Sequence, residues 1–225
     1  MVYRNMGLQK VWESKKNKVM KKIMFNDRYG LMQAVIDGRK TFTRRVVNGY
    51  PLLPQTVESA CLFDNGHVHI IANGGEILMD YKIGYNVGDV VSVAQSYRSI
   101  ADNHPNVDKF LLRLSEEYRC EPENVSNLPG WTNKMFTKAE FMSHRIRITN
   151  IRCERLQDIS DIECLKEGVQ YIEEIGRYYF EKPDKEGFYF ETPREAFASL
   201  IDKISGIGTW GLNPFIVVYE FEVVK

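Results

Sequence analysis

The chain has 225 residues, of which 44% are hydrophobic and 27% are charged, and its formal net charge is zero. This composition is typical of one globular domain with a substantial core, and the sequence has neither a secretion signal nor the run of about 18 apolar residues that a membrane span needs. We therefore expect a cytoplasmic protein without a membrane partner. Four widely spaced cysteines without a CxxC pair and four scattered histidines predict reduced thiols, with no metal and no cofactor.

The zero net charge conceals an uneven distribution. Residues 1–24 carry seven basic and one acidic side chains, which leaves 23 basic and 29 acidic side chains for the rest of the chain. An acidic body argues against non-specific binding of duplex nucleic acid through a broad basic face, so anion binding must be local. We expect residues 1–19 to be a disordered basic extension, with Met20 as a plausible start, although such a segment can also be a nucleic-acid arm.

The first elements lead to a cluster of cations. Residues 22–25 predict a short strand, and the following helix is expected to begin at Asn26 or Asp27 and to end at Gly38 in the left-handed conformation. The stretch "DGRKTFTRRVV" follows immediately and contains four cations, which are Arg39, Lys40, Arg44 and Arg45.

Strands and one helix are predicted along the next hundred residues. Residues 61–71 predict a hairpin with a tight turn at Asn65-Gly66, and residues 88–97 predict a strand after a Gly-Asp turn. An amphipathic helix is expected at 107–118. Residues 144–156 alternate as a strand does, with Ile146 and Ile148 on one face and the arginines Arg145 and Arg147 on the other.

The last third of the chain carries two capping boxes. The pairs Ser160/Glu163 and Thr192/Glu195 predict two helix starts, the second with Pro193 in its first turn. The second helix has an apolar stripe that predicts core, formed by Phe197, Leu200, Ile201 and Ile204. An aromatic hairpin or loop is expected at 170–192, and residues 213–224 predict a closing strand.

This order of elements predicts an α+β fold. Many short strands among a few helices indicate a small mixed β-barrel with peripheral helices rather than a doubly wound parallel sheet. We expect one domain over residues 20–225, with insertions at about 98–140 and 170–192.

Four segments in this order resemble the ASCH domain family of the PUA-like superfamily, in particular its longer phage- and prophage-borne members. They are "DGRKTFTRR", "GDVVSVAQSY", "HRIRITNIRCERLQDISDIECLKEGV" and "AFASLIDKISG…WGLNPFIVVYEFEVV". The resemblance implies a PUA-like barrel, association with RNA, and a bacterial or phage-infected cell. The sequence departs from the family pattern at Gln95-Ser96-Tyr97, where a segment like Glu-Thr-Trp is usual.

The resemblance also implies an activity and its residues. Some small ASCH members are amidohydrolases that remove the acetyl group from the exocyclic amine of acetylated cytidine. Their working lysine, threonine and glutamate correspond by motif to Lys40, Thr43 and Glu167. The implied substrate is a nucleoside, a nucleotide or RNA, and the implied hydrolase needs no metal.

The residues themselves place conditions on this chemistry. A lysine acts as a base or nucleophile near neutral pH only if its pKa falls about three units below ~10.4, through desolvation or through like charges such as those of Arg39, Arg44 and Arg45. In a regular strand Lys40 and Thr43 would face opposite sides, so a shared site requires a bulge or a turn between them. Glu167, in the last turn of its helix, lies where the helix dipole disfavours an anion.

Other residues are candidates for ligand or nucleic-acid binding, and each also has an ordinary structural interpretation. They are Arg39, Arg44, Arg45 and Arg145 for phosphate, and Tyr97, Trp210 and Asn213 for a base. Three functions remain open from the sequence: an amidohydrolase acting on a modified cytidine, a non-catalytic module that binds RNA or nucleotides, and a phage accessory protein that uses the fold as a scaffold.

Overall fold

The structure is a computed structural model that describes residues 20–47, 57–180 and 188–224. The extension predicted at 1–19 and residues 181–187 of the predicted insertion lie outside the described residues. The strands are β1 (Lys22–Ile23), β2 (Phe42–Val46), β3 (Val57–Leu62), β4 (His67–Ala72), β5 (Ile77–Lys82), β6 (Val90–Val93), β7 (Arg145–Arg155), β8 (Gln170–Ile172), β9 (Arg177–Tyr179) and β10 (Phe215–Val224). The helices are α1 (Leu31–Ile36), α2 (Tyr97–Asp102), α3 (Val107–Tyr118), α4 (Asp161–Lys166), α5 (Pro193–Ser205) and α6 (Thr209–Leu212).

These elements confirm an α+β fold with several sheets. The main sheet has five strands in the order β1-β6-β7-β10-β2, in which β1 and β6 are parallel and the other pairs are antiparallel. Strands β3, β4 and β5 form a separate antiparallel sheet, and β8 and β9 form a two-stranded hairpin. The predicted hairpin turn is present, because Asn65-Gly66 joins β3 to β4.

The predicted closed barrel is wrong for the part of the chain that the structure describes. The two edge strands of the main sheet, β1 and β2, share no backbone ladder there, and β1 is only two residues long. The edges are bridged instead by a side chain, since the guanidinium of Arg45 in β2 donates a hydrogen bond to the carbonyl of Met24, just after β1. The main sheet is therefore open, with a gap at this corner.

Strand β10 lies between β7 and β2 in the main sheet. It pairs with β7 along its whole length and with β2 from Ile216 to Glu220. Its partner β7 confirms the predicted alternation, because Ile146 and Ile148 are fully buried while Arg145 and Arg147 are exposed. Because β10 is paired on both edges and buried at most positions, it gives the candidate site a rigid support.

Helix α1 differs from the prediction at its start and agrees at its end. Its N-cap is Gly30 in the left-handed conformation, because the backbone first makes a turn in which the N–H of Leu31 donates to the carbonyl of Asn26. Gly38 has φ of 74° and ends the helix as predicted. The chain then turns back, and the N–H of Lys40 donates to the carbonyl of Ala34 at 2.8 Å.

The later helices begin as predicted. Both capping boxes are present, with Ser160 and Glu163 at the start of α4 and Thr192 and Glu195 at the start of α5. Three members of the α5 stripe are core residues, but Ile204 is 38% exposed and is a correction to the predicted core. Ile204 lies in the last turn of α5 and lines the candidate cavity described below.

The insertion expected at 98–140 has an apolar core of its own. Phe110 and Leu114 of α3 pack in it with Tyr97 and Phe141. The predicted strand at 88–97 is shorter than expected, since β6 ends at Val93 and Ser96 caps α2. Consequently Tyr97 belongs to a helix and not to a strand.

We predict that Gly130→Ala destabilises this insertion. An added Cβ would lie 2.6 Å from Cε2 of Tyr97 and 2.9 Å from its Cδ2, so either the ring or the backbone must move. Overpacking of this kind costs about 1–3 kcal/mol, which urea unfolding measures. Gly211→Ala is the matched control, because the added Cβ meets no atom within 4 Å. Equal free energies of unfolding for the two variants would contradict the close approach of Gly130 to the Tyr97 ring.

Candidate functional site

The three residues implied by the resemblance come from three different elements. Lys40 lies in the turn between Gly38 and β2, and Thr43 lies inside β2. Glu167 is the C-cap residue of α4. Because Lys40 precedes the strand, the alternation of strand side chains does not force it away from Thr43, and the condition derived from the sequence is met.

Lys40, Thr43 and Glu167 line one cavity, at the corner where the main sheet is open. Its volume is about 50 Å³, without the open solvent at its mouth. Arg44 and Arg45 complete the polar side of the cavity. Apolar side chains form the opposite side, and they include Phe25, Leu31, Phe197, Leu200, Ile201 and Ile204.

The ammonium group of Lys40 is paired with Glu167 inside the protein. Nζ donates to the Glu167 carbonyl at 2.8 Å and also contacts carboxylate Oε2. The two side chains are 2% and 5% exposed. The chain turns closely over this pair, because an added Cβ at Gly168 would lie 3.0 Å from Leu31 and 3.8 Å from Cδ of Lys40. Water is therefore largely excluded from the lysine.

Burial lowers the pKa of Lys40 below its ordinary value. Desolvation is the largest cause, and the charges of Arg45 and Arg44 lower the pKa further, while the carboxylate of Glu167 opposes the shift. Arg44 and Arg45 thus act in the predicted direction, whereas Arg39 pairs with Asp37 outside the cavity, and burial is the larger effect. The lowered pKa increases the neutral fraction of Lys40, which is the form that can accept a proton.

Arg44 holds the other oxygen of Glu167. Its Nη1 donates to Glu167 Oε1 at 3.1 Å, and its Nη2 donates to Glu154 and to Glu163 at 2.9 Å each. The Arg44 side chain is 1% exposed, so three carboxylates rather than a phosphate compensate its charge. Its Nε is buried without a hydrogen-bond partner among the described residues. Arg44 therefore fixes the orientation of the Glu167 carboxylate in the cavity.

This arrangement can move protons and stabilise an oxyanion. The Lys40 amine and the Glu167 carboxylate are in direct contact, so a proton can pass between them. The Thr43 hydroxyl makes no hydrogen bond to another described residue, and it is available as a donor in the cavity wall. The described residues contain no cluster of three or more His, Cys, Asp or Glu side chains that could hold a metal ion.

The predicted base-binding residues do not line this cavity. Tyr97 is fully buried, and its hydroxyl pairs with that of Tyr118 at 2.8 Å, so it offers no face to a base. Trp210 packs edge-on against the outer side of Phe197, with ring centroids 6.1 Å apart. Asn213 accepts the N–H of Gln157 at 2.8 Å and stabilises the turn before β10. None of the three side chains is part of the cavity lining.

The predicted phosphate-binding arginines have different positions. Arg45 lines the cavity and is anchored to Met24. Arg39 is exposed and pairs with Asp37 at 3.0 Å, outside the cavity. Arg145 is exposed at the start of β7 and is not part of the lining. The four arginines therefore do not form one basic strip.

The sequence did not identify two parts of the site. Glu154 and Glu163 neutralise Arg44, but their only local signals are strand alternation and, for Glu163, the capping box. The carboxylate of Glu163 both caps α4 and pairs with Arg44, since Oε2 accepts hydrogen bonds from the Ser160 N–H at 3.1 Å and from Arg44 Nη2 at 2.9 Å. In the apolar wall from α5, Phe197, Leu200 and Ile201 are core residues that also face the cavity, whereas Ile204 is partly exposed.

We predict that Arg44→Met lowers the free energy of unfolding by about 3–5 kcal/mol, because it removes a fully buried cation from the network. Glu167 then keeps Lys40 as its cation, and Glu154 and Glu163 keep Arg152. Arg39→Met is the matched control. It removes the same charge from an exposed ion pair, which contributes about 0–1 kcal/mol. Urea unfolding at neutral pH measures both variants. If both variants lowered the free energy of unfolding by a similarly small amount, Arg44 would not belong to a buried ion network.

No protein-family model, no curated protein and no solved structure matches this chain. No helix among the described residues is long and apolar enough to cross a membrane. The chemistry of the cavity is therefore the basis for a functional assignment.

Proposed function

We propose that the chain is an ASCH-like amidohydrolase that removes an acyl group from the exocyclic amine of a modified cytidine, as a nucleoside, a nucleotide or part of RNA. The observation that carries this proposal is the meeting of Lys40, Thr43 and Glu167 in one buried cavity. On this proposal the open five-stranded sheet and its helices correspond to the PUA-like fold that the sequence resembles.

The first step of the proposed reaction is the attack of water on the amide carbonyl. Neutral Lys40 accepts a proton from water, and the oxygen of that water forms a bond to the carbonyl carbon. The carbonyl oxygen becomes an oxyanion, to which the Thr43 hydroxyl donates a hydrogen bond. The low exposure of the cavity strengthens this bond, because few water molecules compete for it.

The second step breaks the C–N bond. Glu167 receives the proton from Lys40 and delivers it to the leaving amine, so that the tetrahedral intermediate collapses to a carboxylic acid and the free exocyclic amine. Lys40 is then neutral again. The direct contact between Nζ and Oε2 provides the path for this transfer, and Arg44 keeps the carboxylate in position.

The apolar side of the cavity contributes through exclusion of water. Phe197 and Leu200 face the polar residues from α5, and the pyrimidine ring of the substrate would be flanked by such side chains. A desolvated site keeps the pKa of Lys40 low and protects the intermediate from competing proton transfers.

We predict that Lys40→Met and Glu167→Gln each lower kcat/KM for N4-acetylcytidine by at least about 100-fold, as expected for loss of a general acid–base group. Thr43→Val should lower kcat/KM about 100-fold, because it removes the hydrogen-bond donor to the oxyanion, whereas Thr43→Ser should keep most of the activity. Chromatographic detection of cytidine measures all four variants. Lys138→Met is the control, since Lys138 is exposed and pairs with Glu117 outside the cavity.

Three results would contradict the mechanism in different ways. Full activity of Lys40→Met would remove Lys40 from the reaction. Absence of hydrolysis by the unaltered chain, together with saturable binding of the nucleoside, would favour the non-catalytic nucleotide- or RNA-binding module. Absence of both hydrolysis and binding would favour a scaffold function.

A further inference from the structure

A second hollow lies directly behind the candidate cavity. Four chain segments each contribute two consecutive residues, one to the cavity and the other to the second hollow. These pairs are Asn26 and Asp27, Leu31 and Gly30, Lys40 and Arg39, and Glu167 and Gly168. A single layer of main chain therefore separates the two hollows at these four segments. We call the second one the Arg28–Arg39 cleft.

The Arg28–Arg39 cleft lies between the turn before α1 and the β8–β9 hairpin. Its volume is about 410 Å³, without open solvent. Phe180 and Tyr179 form an aromatic side. The rest of the lining is rich in hydrogen-bond donors from guanidinium and carboxamide groups, which belong to Arg28, Gln33, Arg39 and Gln170. Guanidinium groups with additional amide donors are suited to bind an oxyanion.

A carboxylate of the chain itself already contacts two of these donors. Asp37 accepts a hydrogen bond from Nε2 of Gln33 at 2.7 Å and from Nη2 of Arg39 at 3.0 Å. These bonds lower the pKa of Asp37, with Gln33 as the largest cause. Asp37 and Arg39 are 40% and 41% exposed, so the pair is accessible to solvent and contributes little to stability. An incoming anion can therefore replace Asp37.

The charge balance of the cleft favours a negative ligand. Arg28 lies over the ring of Tyr29 at 5.7 Å and makes no ion pair with a described carboxylate. The one acidic residue in the lining, Asp27, is neutralised by Lys134 at 2.7 Å. Among the described residues, no carboxylate therefore compensates the guanidinium charge of Arg28 directly.

We propose that the Arg28–Arg39 cleft binds a small oxyanion, either a carboxylate or a phosphate ester, which takes the place of Asp37 on Arg39 and Gln33 and is also held by Arg28. This binding site goes beyond the proposed hydrolysis and does not depend on it. The oxyanion would lie against Gly168, whose peptide bond joins it to Glu167 of the candidate cavity. A ligand here is in contact with the backbone that positions the Lys40–Glu167 pair.

The test is a titration of the ¹⁵N-labelled full chain with inorganic phosphate and, separately, with acetate, at constant ionic strength. We expect saturable shifts of the Gly168 backbone amide and the Gln33 side-chain amide. The anion that binds more tightly identifies the phosphate or the carboxylate class. Arg28→Gln and Arg39→Gln should each weaken binding about tenfold, as expected for loss of a charge-assisted hydrogen bond.

Two further variants make the test specific. Asp37→Asn removes the competing carboxylate and should tighten binding several-fold. Arg147→Gln removes a similarly exposed cation of β7, which pairs with Glu222 of β10, and it should leave binding unchanged. The proposal is overturned if neither anion gives saturable shifts at Gly168 and Gln33. It is also overturned if Arg39→Gln and Arg147→Gln bind alike, or if Asp37→Asn binds no tighter than the unaltered chain. Because no readout requires turnover, failure of the hydrolase proposal would not affect the result.

Discussion

The buried pair of Lys40 and Glu167 is the interaction on which the candidate site depends. Placing two charges out of water costs several kcal/mol per ion unless close contacts compensate for the loss of hydration. Here the compensation is direct, because the ammonium contacts both the carboxylate and the main-chain carbonyl of Glu167. Arg44 supplies a second cation to the same carboxylate and links it to Glu154 and Glu163. The network ties β2, β7 and α4 together.

The fold brings the pair together through two short turns. Gly38 ends α1 and directs the chain so that Lys40 bonds to Ala34 before β2 begins. The N–H of Thr41 then donates to the carbonyl of Lys166 at 2.9 Å, so the end of α4 and the start of β2 are joined by their backbones. Strand β10 fixes β2 from its other side. The side chains of the site are thus positioned by main-chain bonds, which is the condition for a preorganised site.

The sequence was most informative where the signal is local. The capping boxes of α4 and α5, the left-handed Gly38 and the alternation along β7 all depend on residues within a few positions of one another, and all are confirmed. The prediction that α1 begins at Asn26 or Asp27 was wrong, because a turn stabilised by main-chain bonds precedes the helix. The prediction of a closed barrel was also wrong for the described residues, since closure depends on contacts between strands that are far apart in the chain.

The candidate site shows the same division between local and distant information. Sequence could name Lys40, Thr43 and Glu167 through a resemblance, and it could state that a turn must separate the first two. It could not show that Arg44 would be neutralised by three carboxylates or that Tyr97 would be buried in a second core. These outcomes depend on partners more than fifty residues away, or on an insertion that packs upon itself.

The proposed function of Lys40 as a base requires a lowered pKa. Titration of its Nζ group tests this requirement most directly. Side-chain ¹³C–¹H spectra across pH, with the Lys40 signal assigned by its loss in Lys40→Arg, measure that pKa. Because burial disfavours the ammonium form, the midpoint should lie below the ordinary value of ~10.4. The folded chain would then bind fewer protons than the unfolded chain between the two values, so the contribution of Lys40 to stability would rise with pH across this window. A midpoint at or above ~10.4 would show that Glu167 keeps Lys40 protonated and would contradict its proposed function as a base.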